Sequence, residues 1–328
     1  MLRKFKFTKQ QDLTSNTQLA TNESGLSYLL IKNQYAEAAI SLFGAHVLHY
    51  QAKDKQPLLW MSHTSAQDGS KPFRGGVPIC WPWFGPAPAE LGSGLPAHGF
   101  ARGLIWQLEG VSETDEGTFV HLSLNDTAET LAMWPHTFRL EFEVRVGATL
   151  TMSLTTENTS DKDFRVFEAL HTYFNTKGTE FVTVKGLGDS FYDKLTKSDG
   201  VQDGDYHLTA AVDRVYSKPA KVVTFTTGYD TIKLDNGGEN SAVVWNPWTA
   251  AENMADFDRD RWQTMVCVET CVTGDGQTIP AGEEHTLSTE ISYLYKIGDV
   301  LEIKKAEYIG ILLFYFNMPL NIAAYFLL

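Results

Sequence analysis

The chain has 328 residues, of which 43% are hydrophobic and only 20% are charged. This composition excludes an intrinsically disordered protein, because the chain can bury enough apolar surface to offset the entropy that it loses on folding. The 27 basic and 40 acidic residues give a net charge of −13. This charge argues against a nucleic-acid partner, which requires clustered lysine and arginine side chains that are scattered in this sequence.

The N-terminal segment, residues 1–26, is predicted to lead into the main domain. Charged residues near its start are not followed by an apolar run, so the segment lacks the hydrophobic region of a secretory signal. We therefore expect a cytoplasmic protein.

Three cysteines, Cys80, Cys267 and Cys271, are an odd number and lie far apart, which predicts free thiols rather than a disulfide framework. Cys267 and Cys271 lack a second pair of the spacing that zinc sites use. We therefore interpret all three as buried small apolar residues, and no structural metal is predicted.

Residues 27–297 carry the pattern of strands and turns. Short alternating or β-branched runs are separated by Gly, Asn and Asp, and each run places every second residue on one face, as a half-buried antiparallel strand requires. The clearest runs are residues 119–124, 140–146, 150–154, 181–184 and 221–226. One short helix is predicted over residues 126–133 with Asp126 as its N-cap, and residues 194–206 are predicted to be a surface loop.

These elements predict an all-β protein, in which residues 27–297 form one large antiparallel β-sandwich with few short helices. A single domain is predicted because no linker rich in Ser, Gly or Pro and no internal repeat interrupts this region of the sequence.

The C-terminal tail, residues 298–328, differs from the rest of the chain. Residues 308–328 contain no charged side chain and are long enough to span a hydrocarbon core as a helix. Asn317, Pro319 and Asn321 interrupt this stretch, and unpaired amides or a missing N–H are costly in lipid. Three interpretations stay open: a membrane anchor, a segment that docks on a partner or on the domain, and accidental sequence from a shifted reading frame.

One unusual segment, residues 73–86, has two glycines after Arg74 and prolines between aromatic residues. Because proline removes a backbone donor and glycine permits positive φ, this segment is predicted to be a rigid wall rather than a central strand. Either it packs over the core, or Arg74 projects into a pocket whose floor is aromatic. The floor would be made by Trp81, Trp83 and Phe84.

A second unusual segment, residues 94–102, contains His98 and Arg102 and follows Arg74 closely in sequence. Two guanidinium groups that converged on one cleft would form a phosphate or carboxylate site, because each offers a planar fork of donors. Taken alone, each arginine is more often a solvated surface charge.

Two further segments each place one ionisable residue in an apolar run. His171 lies within residues 169–174, where a histidine is most often a satisfied core residue. Glu269 lies within residues 265–270. Side chains along a strand alternate between its two faces, so Glu269 lies on the same face as Cys267. If that face is directed inward, burial raises the pKa of the carboxyl toward values that suit a general base.

In order and spacing, these segments resemble the hexose-6-phosphate mutarotases, also called glucose-6-phosphate 1-epimerases. The segments that carry the resemblance are RGGVP at 74–78, WPWFGP at 81–86, LPAHGFAR at 95–102, LHTYF at 170–174 and VCVET at 266–270. Weaker similarities lie at residues 42–47, 186–194, 213–216 and 244–247, so the resemblance covers the chain from about Ser27 to about Tyr295.

The resemblance implies the fold of galactose mutarotase, a large antiparallel β-sandwich that binds sugar on a concave sheet face without a metal or another cofactor. It implies His171 as the general acid at the ring oxygen and Glu269 as the general base at the anomeric hydroxyl. The implied substrate ligands are Arg74, His98, Arg102 and Asp193. Some relatives carry Gln at the position of Ala97, which leaves one polar contact undefined.

The predicted partner is therefore a small-molecule sugar phosphate, and the protein is expected to be a monomer. Two alternatives stay open: an aldose 1-epimerase that acts on neutral hexoses, and a carbohydrate-binding or sensing protein without activity. The sequence does not define which hexose 6-phosphate is preferred.

Overall fold

A computed structural model describes residues 6–294 of the chain, which are mostly β-strand. The first strands are β1 (Thr8–Asp12), β2 (Thr17–Thr21), β3 (Ser27–Lys32), β4 (Ala36–Ser41), β5 (His46–Ala52), β6 (Ile79–Cys80), β7 (Gln107–Thr114), β8 (Gly117–Asn125), β9 (Phe138–Val146), β10 (Leu150–Asn158) and β11 (Phe164–Leu170). They are followed by β12 (Tyr173–Asn175), β13 (Thr183–Lys185), β14 (Ser190–Asp193), β15 (Ser198–Val201), β16 (Tyr206–His207), β17 (Val212–Ser217), β18 (Val222–Thr226), β19 (Thr231–Gly237), β20 (Ser241–Asn246), β21 (Met265–Ile279) and β22 (Glu284–Leu294). A single α-helix, α1 (Ala128–Met133), lies between β8 and β9 in the described part of the chain.

The strands form three antiparallel sheets. Strands β1 to β5 form the first sheet in chain order. The second sheet has nine strands in the order β16-β13-β18-β19-β22-β10-β9-β8-β7, and the third has the order β15-β14-β17-β20-β21-β11-β6, with β12 also paired to β21. The prediction of an all-β antiparallel protein is therefore confirmed.

The second and third sheets face each other across a core. In β9 and β10 buried residues alternate with partly exposed ones, as expected for strands with one face on the core. In β21 the first nine residues are all buried, so both of its faces are covered. Polar contacts also cross the sandwich: Asn236 of β19 accepts hydrogen bonds from Thr270 of β21 at 2.9 Å and from Thr289 of β22 at 2.8 Å.

Glu168 of β11 is a fully buried carboxylate that lies between the two sheets. Thr156 Oγ1 of β10 donates to Glu168 Oε2 at 3.3 Å, and His285 Nε2 of β22 lies 3.1 Å from Oε1. Trp81 Nε1 donates to the same threonine oxygen at 3.1 Å. Burial raises the pKa of Glu168. This network therefore ties the segment after β6 to the strands of both sheets.

Several local predictions need correction. The helix begins at Ala128 and its N-cap is Thr127, whose side chain accepts a hydrogen bond from the Thr130 N–H. Asp126 instead accepts from the N–H of Phe138 at 3.1 Å. Both threonine and aspartate are common N-cap residues, so sequence alone did not separate the two.

Two further boundaries also differ from the sequence analysis. The segment predicted as a loop over residues 194–206 contains β15, which pairs with β14 as a hairpin. The run predicted as a strand over residues 181–184 is a strand only from Thr183, because residues 179–181 form a 3-10 turn. The other runs lie in β8, β9, β10 and β18 as predicted.

The ends of the chain bear on the predicted domain limits. Strands β1 and β2 lie in the segment predicted as a lead-in, and they extend the first sheet through the pairing of β2 with β3. Of the described residues, 6–292 lie in one compact unit. Within residues 6–294 the structure contains no helix that is both long and apolar enough to cross a membrane. The predicted tail, residues 298–328, lies outside the described residues.

Candidate active site

The candidate site lies on the face of the third sheet that is turned away from the nine-stranded sheet. Asp213 of β17 pairs with Trp245 of β20, which pairs with Cys267 of β21. Residues directly opposite each other in an antiparallel pair share a face, and so do residues two apart on one strand. Asp213, Cys267 and Glu269 therefore project from the same face.

The centre of the site is a buried pair of ionisable groups, His171 and Glu269. His171 Nδ1 lies 3.1 Å from Glu269 Oε1, and the two side chains are 10% and 1% exposed. His171 follows the end of β11, where its N–H donates to the Pro78 carbonyl at 3.1 Å. Its ring stacks on Tyr173 with the centroids 4.9 Å apart. These contacts hold the imidazole beside the carboxylate.

Burial shifts the proton affinities of this pair in opposite directions. It raises the pKa of Glu269 well above its ordinary range, because the carboxyl is surrounded by protein rather than water. It lowers the pKa of His171 well below its ordinary range for the same reason, and the charges of nearby side chains add to this effect. Both shifts weaken the usual preference of a proton for imidazole over carboxylate, which suits two groups that exchange protons with a substrate.

A second histidine, His98, lies beside the pair, with its ring centroid 5.8 Å from that of His171. The Gly85 N–H donates to His98 Nδ1 at 3.3 Å. Burial, followed by the charge of Arg102, lowers the pKa of His98 to about 3. The neutral ring therefore carries its proton on Nε2, which makes that nitrogen a hydrogen-bond donor.

The loop that carries His98 requires a glycine at position 99. Gly99 has a φ of +72°, and a Cβ there would lie 1.8 Å from the carbonyl oxygen of Trp81. His98 itself has a positive φ of 63°. The close approach of this loop to Trp81 therefore fixes where the His98 ring lies.

Replacement of Gly99 by Ala should lower the melting temperature and reduce the activity of the site, because the methyl group forces the loop away from Trp81. We expect a loss of about 1–3 kcal/mol in the free energy of unfolding, measured by thermal and denaturant melts. Gly103→Ala is the matched control, since nothing lies within 4 Å of a Cβ at that position. Equal effects of the two substitutions would contradict the proposed constraint.

Three cations, Arg74, Arg102 and Lys194, lie around the pair, and each lowers the pKa of His171. Arg74 Nη1 donates to the Tyr173 hydroxyl at 3.0 Å, and its Nε donates to Asp256 at 3.1 Å.

The other two cations, Lys194 and Arg102, differ in whether a carboxylate neutralises their charge. Lys194 Nζ lies 3.4 Å from Asp213 Oδ1 and 4.7 Å from the centroid of the Phe84 ring. Arg102 donates from Nη2 to the Ala97 carbonyl at 2.9 Å, while its buried Nε has no hydrogen-bond partner among the described residues. Arg102 is therefore not neutralised by a carboxylate among the described residues, unlike Arg74 and Lys194.

A cleft of about 600 Å³ opens next to these groups. Its walls include His98, Tyr192, Lys194 and Asp213. This volume lies within the range of small-molecule sites, and cationic and acidic side chains are present together in its lining. The cleft can therefore hold a polar ligand that carries both hydroxyl groups and negative charge.

The structure brings five of the six predicted site residues together and separates the sixth. Asp193 pairs in register with Arg214, which in turn pairs with Val244. This register places Asp193 on the sheet face opposite to Glu269. Its carboxylate accepts from Arg214 Nε at 3.1 Å and from the Leu195 N–H at 2.9 Å, so its role is to hold a turn.

The structure supplies two residues that the sequence analysis did not assign, Lys194 and Asp213. Both lie in segments that carry the resemblance, but nothing in the sequence distinguishes Asp213 from Asp193. A one-residue change in register exchanges the faces of a strand, so only the pairing of β14, β17 and β20 identifies the residue that faces the site.

The proposed aromatic floor also needs correction. Trp81 is fully buried and packs edge-on against Trp134 and Phe100 in the core. Trp83 is also buried, and its Nε1 donates to the Pro96 carbonyl at 2.9 Å. Of the three aromatic residues only Phe84 is partly exposed, so the segment mainly packs over the core and contributes one ring to the site.

Comparison with known proteins identifies the family. The model of the aldose 1-epimerase family matches residues 27–292. The chain belongs to this family. A relative from Escherichia coli (strain K12), which carries the provisional name glucose-6-phosphate 1-epimerase, is 36% identical over 77% of this chain and 86% of its own. A relative of the same provisional name from Cenchrus ciliaris is 32% identical over 81% of this chain and 84% of its own.

Solved structures agree with the family assignment. The crystal structure of a Salmonella typhimurium protein, provisionally named a mutarotase, matches with a TM-score of 0.83 and 32% identity. The match covers 90% of this chain and 98% of that protein. The predicted family, the mutarotase-like β-sandwich and the epimerase class of enzyme are thereby confirmed.

Proposed function

We propose that this member of the aldose 1-epimerase family interconverts the α and β anomers of D-glucose 6-phosphate. The observation that carries the proposal is the buried contact of 3.1 Å between His171 Nδ1 and Glu269 Oε1, surrounded by three cations. The relatives named above are provisionally described as acting on glucose 6-phosphate, which supports the same substrate.

The reaction needs one base and one acid. Glu269 takes the proton of the C1 hydroxyl while protonated His171 gives a proton to the ring oxygen, and the bond between C1 and the ring oxygen breaks. Rotation about C1–C2 turns the other face of the aldehyde toward the former ring oxygen, which is now a hydroxyl group. His171 then recovers the proton of that hydroxyl while Glu269 returns its proton to the aldehyde oxygen, so no proton is gained or lost. Each group contributes a factor of about 10² to 10⁴ in rate.

The contacts of His171 and His98 indicate which ring nitrogen of each histidine faces the substrate. His171 Nδ1 lies beside Glu269, which leaves Nε2 as the nitrogen that reaches the substrate. His98 Nδ1 already accepts from the Gly85 N–H, so its Nε2 donates to a substrate oxygen. Asp213 accepts from the sugar hydroxyl groups on the other side of the cleft.

The 6-phosphate is held by Arg102 and Lys194. A charge-assisted bond to phosphate acts over a short distance, so it is strong even in a protein whose net charge is −13. Arg102 suits this role because its guanidinium lacks a carboxylate partner among residues 6–294, whereas Arg74 is already held by Asp256 and Tyr173.

Anomeric exchange measured by NMR tests the proposal. Saturation transfer between the α and β C1 protons is followed for glucose 6-phosphate and, separately, for free glucose, with and without the protein. Faster exchange of the phosphorylated sugar alone is expected. Faster exchange of free glucose to the same extent would instead indicate an aldose 1-epimerase for neutral hexoses, and unchanged exchange of both would indicate a carbohydrate-binding protein without activity.

We also propose that the predicted domain, residues 27–297, works as a monomer in the cytoplasm, together with the two strands that precede it and extend its first sheet. The three free cysteines suit a reducing compartment.

A further inference from the structure

Three potential metal ligands of different chemical kinds meet at the floor of the site. They are His171, Cys267 and Glu269, and one ligand atom from each lies within 4.8 Å of the others. All three residues are buried. Cys267 and Glu269 project from the same face of β21, and His171 is brought to them by the end of β11.

We propose that this group binds Zn²⁺ and that the bound ion inhibits the enzyme. A thiolate, an imidazole and a carboxylate are together the ligand set of zinc, whereas Mg²⁺ and Ca²⁺ take oxygen ligands. Zinc bonds of about 2.0–2.3 Å in a tetrahedron place ligand atoms about 3.3–3.7 Å apart. The histidine nitrogen and carboxylate oxygen lie 3.1 Å apart, and no pair of the three ligand atoms is more than 4.8 Å apart, so the sulfur needs a shift of about 1.5 Å at most.

A second observation points to an ion at this place. His171 Nδ1 is buried and has no hydrogen-bond partner among residues 6–294, although Glu269 Oε1 lies only 3.1 Å away, because the orientation of the two groups does not suit a hydrogen bond. A buried polar atom without a partner is rare and costs free energy. A metal ion placed between the two groups would give this nitrogen a ligand bond.

The charges around the group permit a divalent ion. The ion with one thiolate and one carboxylate forms a neutral unit, since the thiol proton is released to solvent when the ion binds. Two of the three nearby cations already have acidic partners: Arg74 is paired with Asp256, and Lys194 with Asp213. The neutral unit therefore meets little repulsion from its surroundings.

Binding of zinc and catalysis exclude each other. The ion binds Nδ1 of His171 and the carboxylate of Glu269, so Glu269 can no longer take the proton of the C1 hydroxyl. An imidazole that is bound to a metal ion does not take up a second proton, so His171 has no imidazolium proton to give to the ring oxygen. The inhibition rests on the proposed function, but the binding of the ion does not, and the two are measured separately.

Binding is tested first, without any measurement of activity. The full chain is titrated with Co²⁺, which replaces zinc in such sites, and the near-ultraviolet absorption of a cobalt–thiolate bond is recorded. Zn²⁺ is then added to displace the cobalt ion. The affinity for zinc is measured separately by calorimetry. We expect one ion per chain with thiolate absorption, and Cys267→Ser should lose that absorption and weaken zinc binding by more than about 10-fold. Cys271→Ser is the matched control, because Cys271 Sγ lies 3.9 Å from Glu269 Oε2 but is not part of the group of three.

Inhibition is tested second, by adding Zn²⁺ to the NMR exchange assay and then removing it with a chelator. We expect reversible loss of exchange, with each variant compared to its own zinc-free rate and Cys267→Ser much less sensitive than Cys271→Ser. Far-ultraviolet circular dichroism verifies that both variants fold.

Absence of cobalt–thiolate absorption in the unmodified protein, or an equal loss of that absorption in both variants, would overturn the site even if exchange is catalysed. Zinc binding in a protein that does not catalyse exchange would overturn the proposed function and the inhibition, but not the site.

Discussion

Glu269→Gln is expected to abolish anomeric exchange of glucose 6-phosphate while leaving sugar binding largely intact. The amide has nearly the same shape as the carboxyl group but cannot take the proton of the C1 hydroxyl. We expect the exchange rate to fall by about 10²- to 10⁴-fold, which is the contribution of one general base. Saturation-transfer NMR measures the rate, and calorimetry measures the affinity for glucose 6-phosphate.

The chain offers a matched control for this substitution. Glu168 is another buried carboxylate that lies 3.1 Å from a histidine nitrogen, but it is placed in the core between the sheets rather than on the face of the third sheet that carries the site. Glu168→Gln should therefore keep most of the exchange activity. If Glu269→Gln retained normal exchange, Glu269 would be eliminated as the base. A similar loss in both variants would indicate that activity depends on any buried carboxylate and not on the position of Glu269 beside His171.

Arg102→Ala is expected to raise KM for glucose 6-phosphate by about 10- to 100-fold and to change KM for free glucose little. The substitution removes charge-assisted hydrogen bonds of about 1.5–3 kcal/mol to the phosphate, and a neutral sugar never makes them. Because the guanidinium contacts a non-reacting part of the substrate, we expect KM to change more than kcat. Initial rates of exchange over a range of sugar concentrations give both constants.

Arg139→Ala is the control for the loss of a positive charge in general. Arg139 is partly exposed on β9, where it lies 2.7 Å from Glu141, and it belongs to the other sheet. Its replacement should leave both sugars unaffected. Equal changes in KM for the phosphorylated and the neutral sugar in Arg102→Ala would argue against a phosphate site at this residue.

The alternation of apolar and polar residues along the sequence was sufficient to predict an all-β fold. The strands around β9 and β10 have one face on the core and one toward solvent, so their apolar residues recur at every second position. The pattern is less informative where tertiary contacts decide the structure. The hairpin of β14 and β15 contains exposed polar residues, and it forms because β14 also pairs with β17.

The pair that we propose as catalytic, His171 and Glu269, could be inferred from the sequence because each residue is an ionisable group in an apolar run, and because the motifs around both resemble one family. The proposed substrate ligands at the edge of the cleft could not be chosen in the same way. Asp193 and Asp213 both lie in suggestive motifs, and register alone determines that Asp213 shares the face of Glu269 while Asp193 pairs with Arg214 behind the sheet.

The sequence by itself therefore determined the β-sandwich, the family and the two residues proposed to move protons, since local pattern and motif order specify these. Only the tertiary structure decided that Trp81 belongs to the core, that Lys194 and Asp213 face the cleft, and that Cys267 lies beside His171 and Glu269. The reason is physical: the face on which a side chain lies depends on strand register, and contacts between residues distant in sequence depend on how the sheets and loops pack.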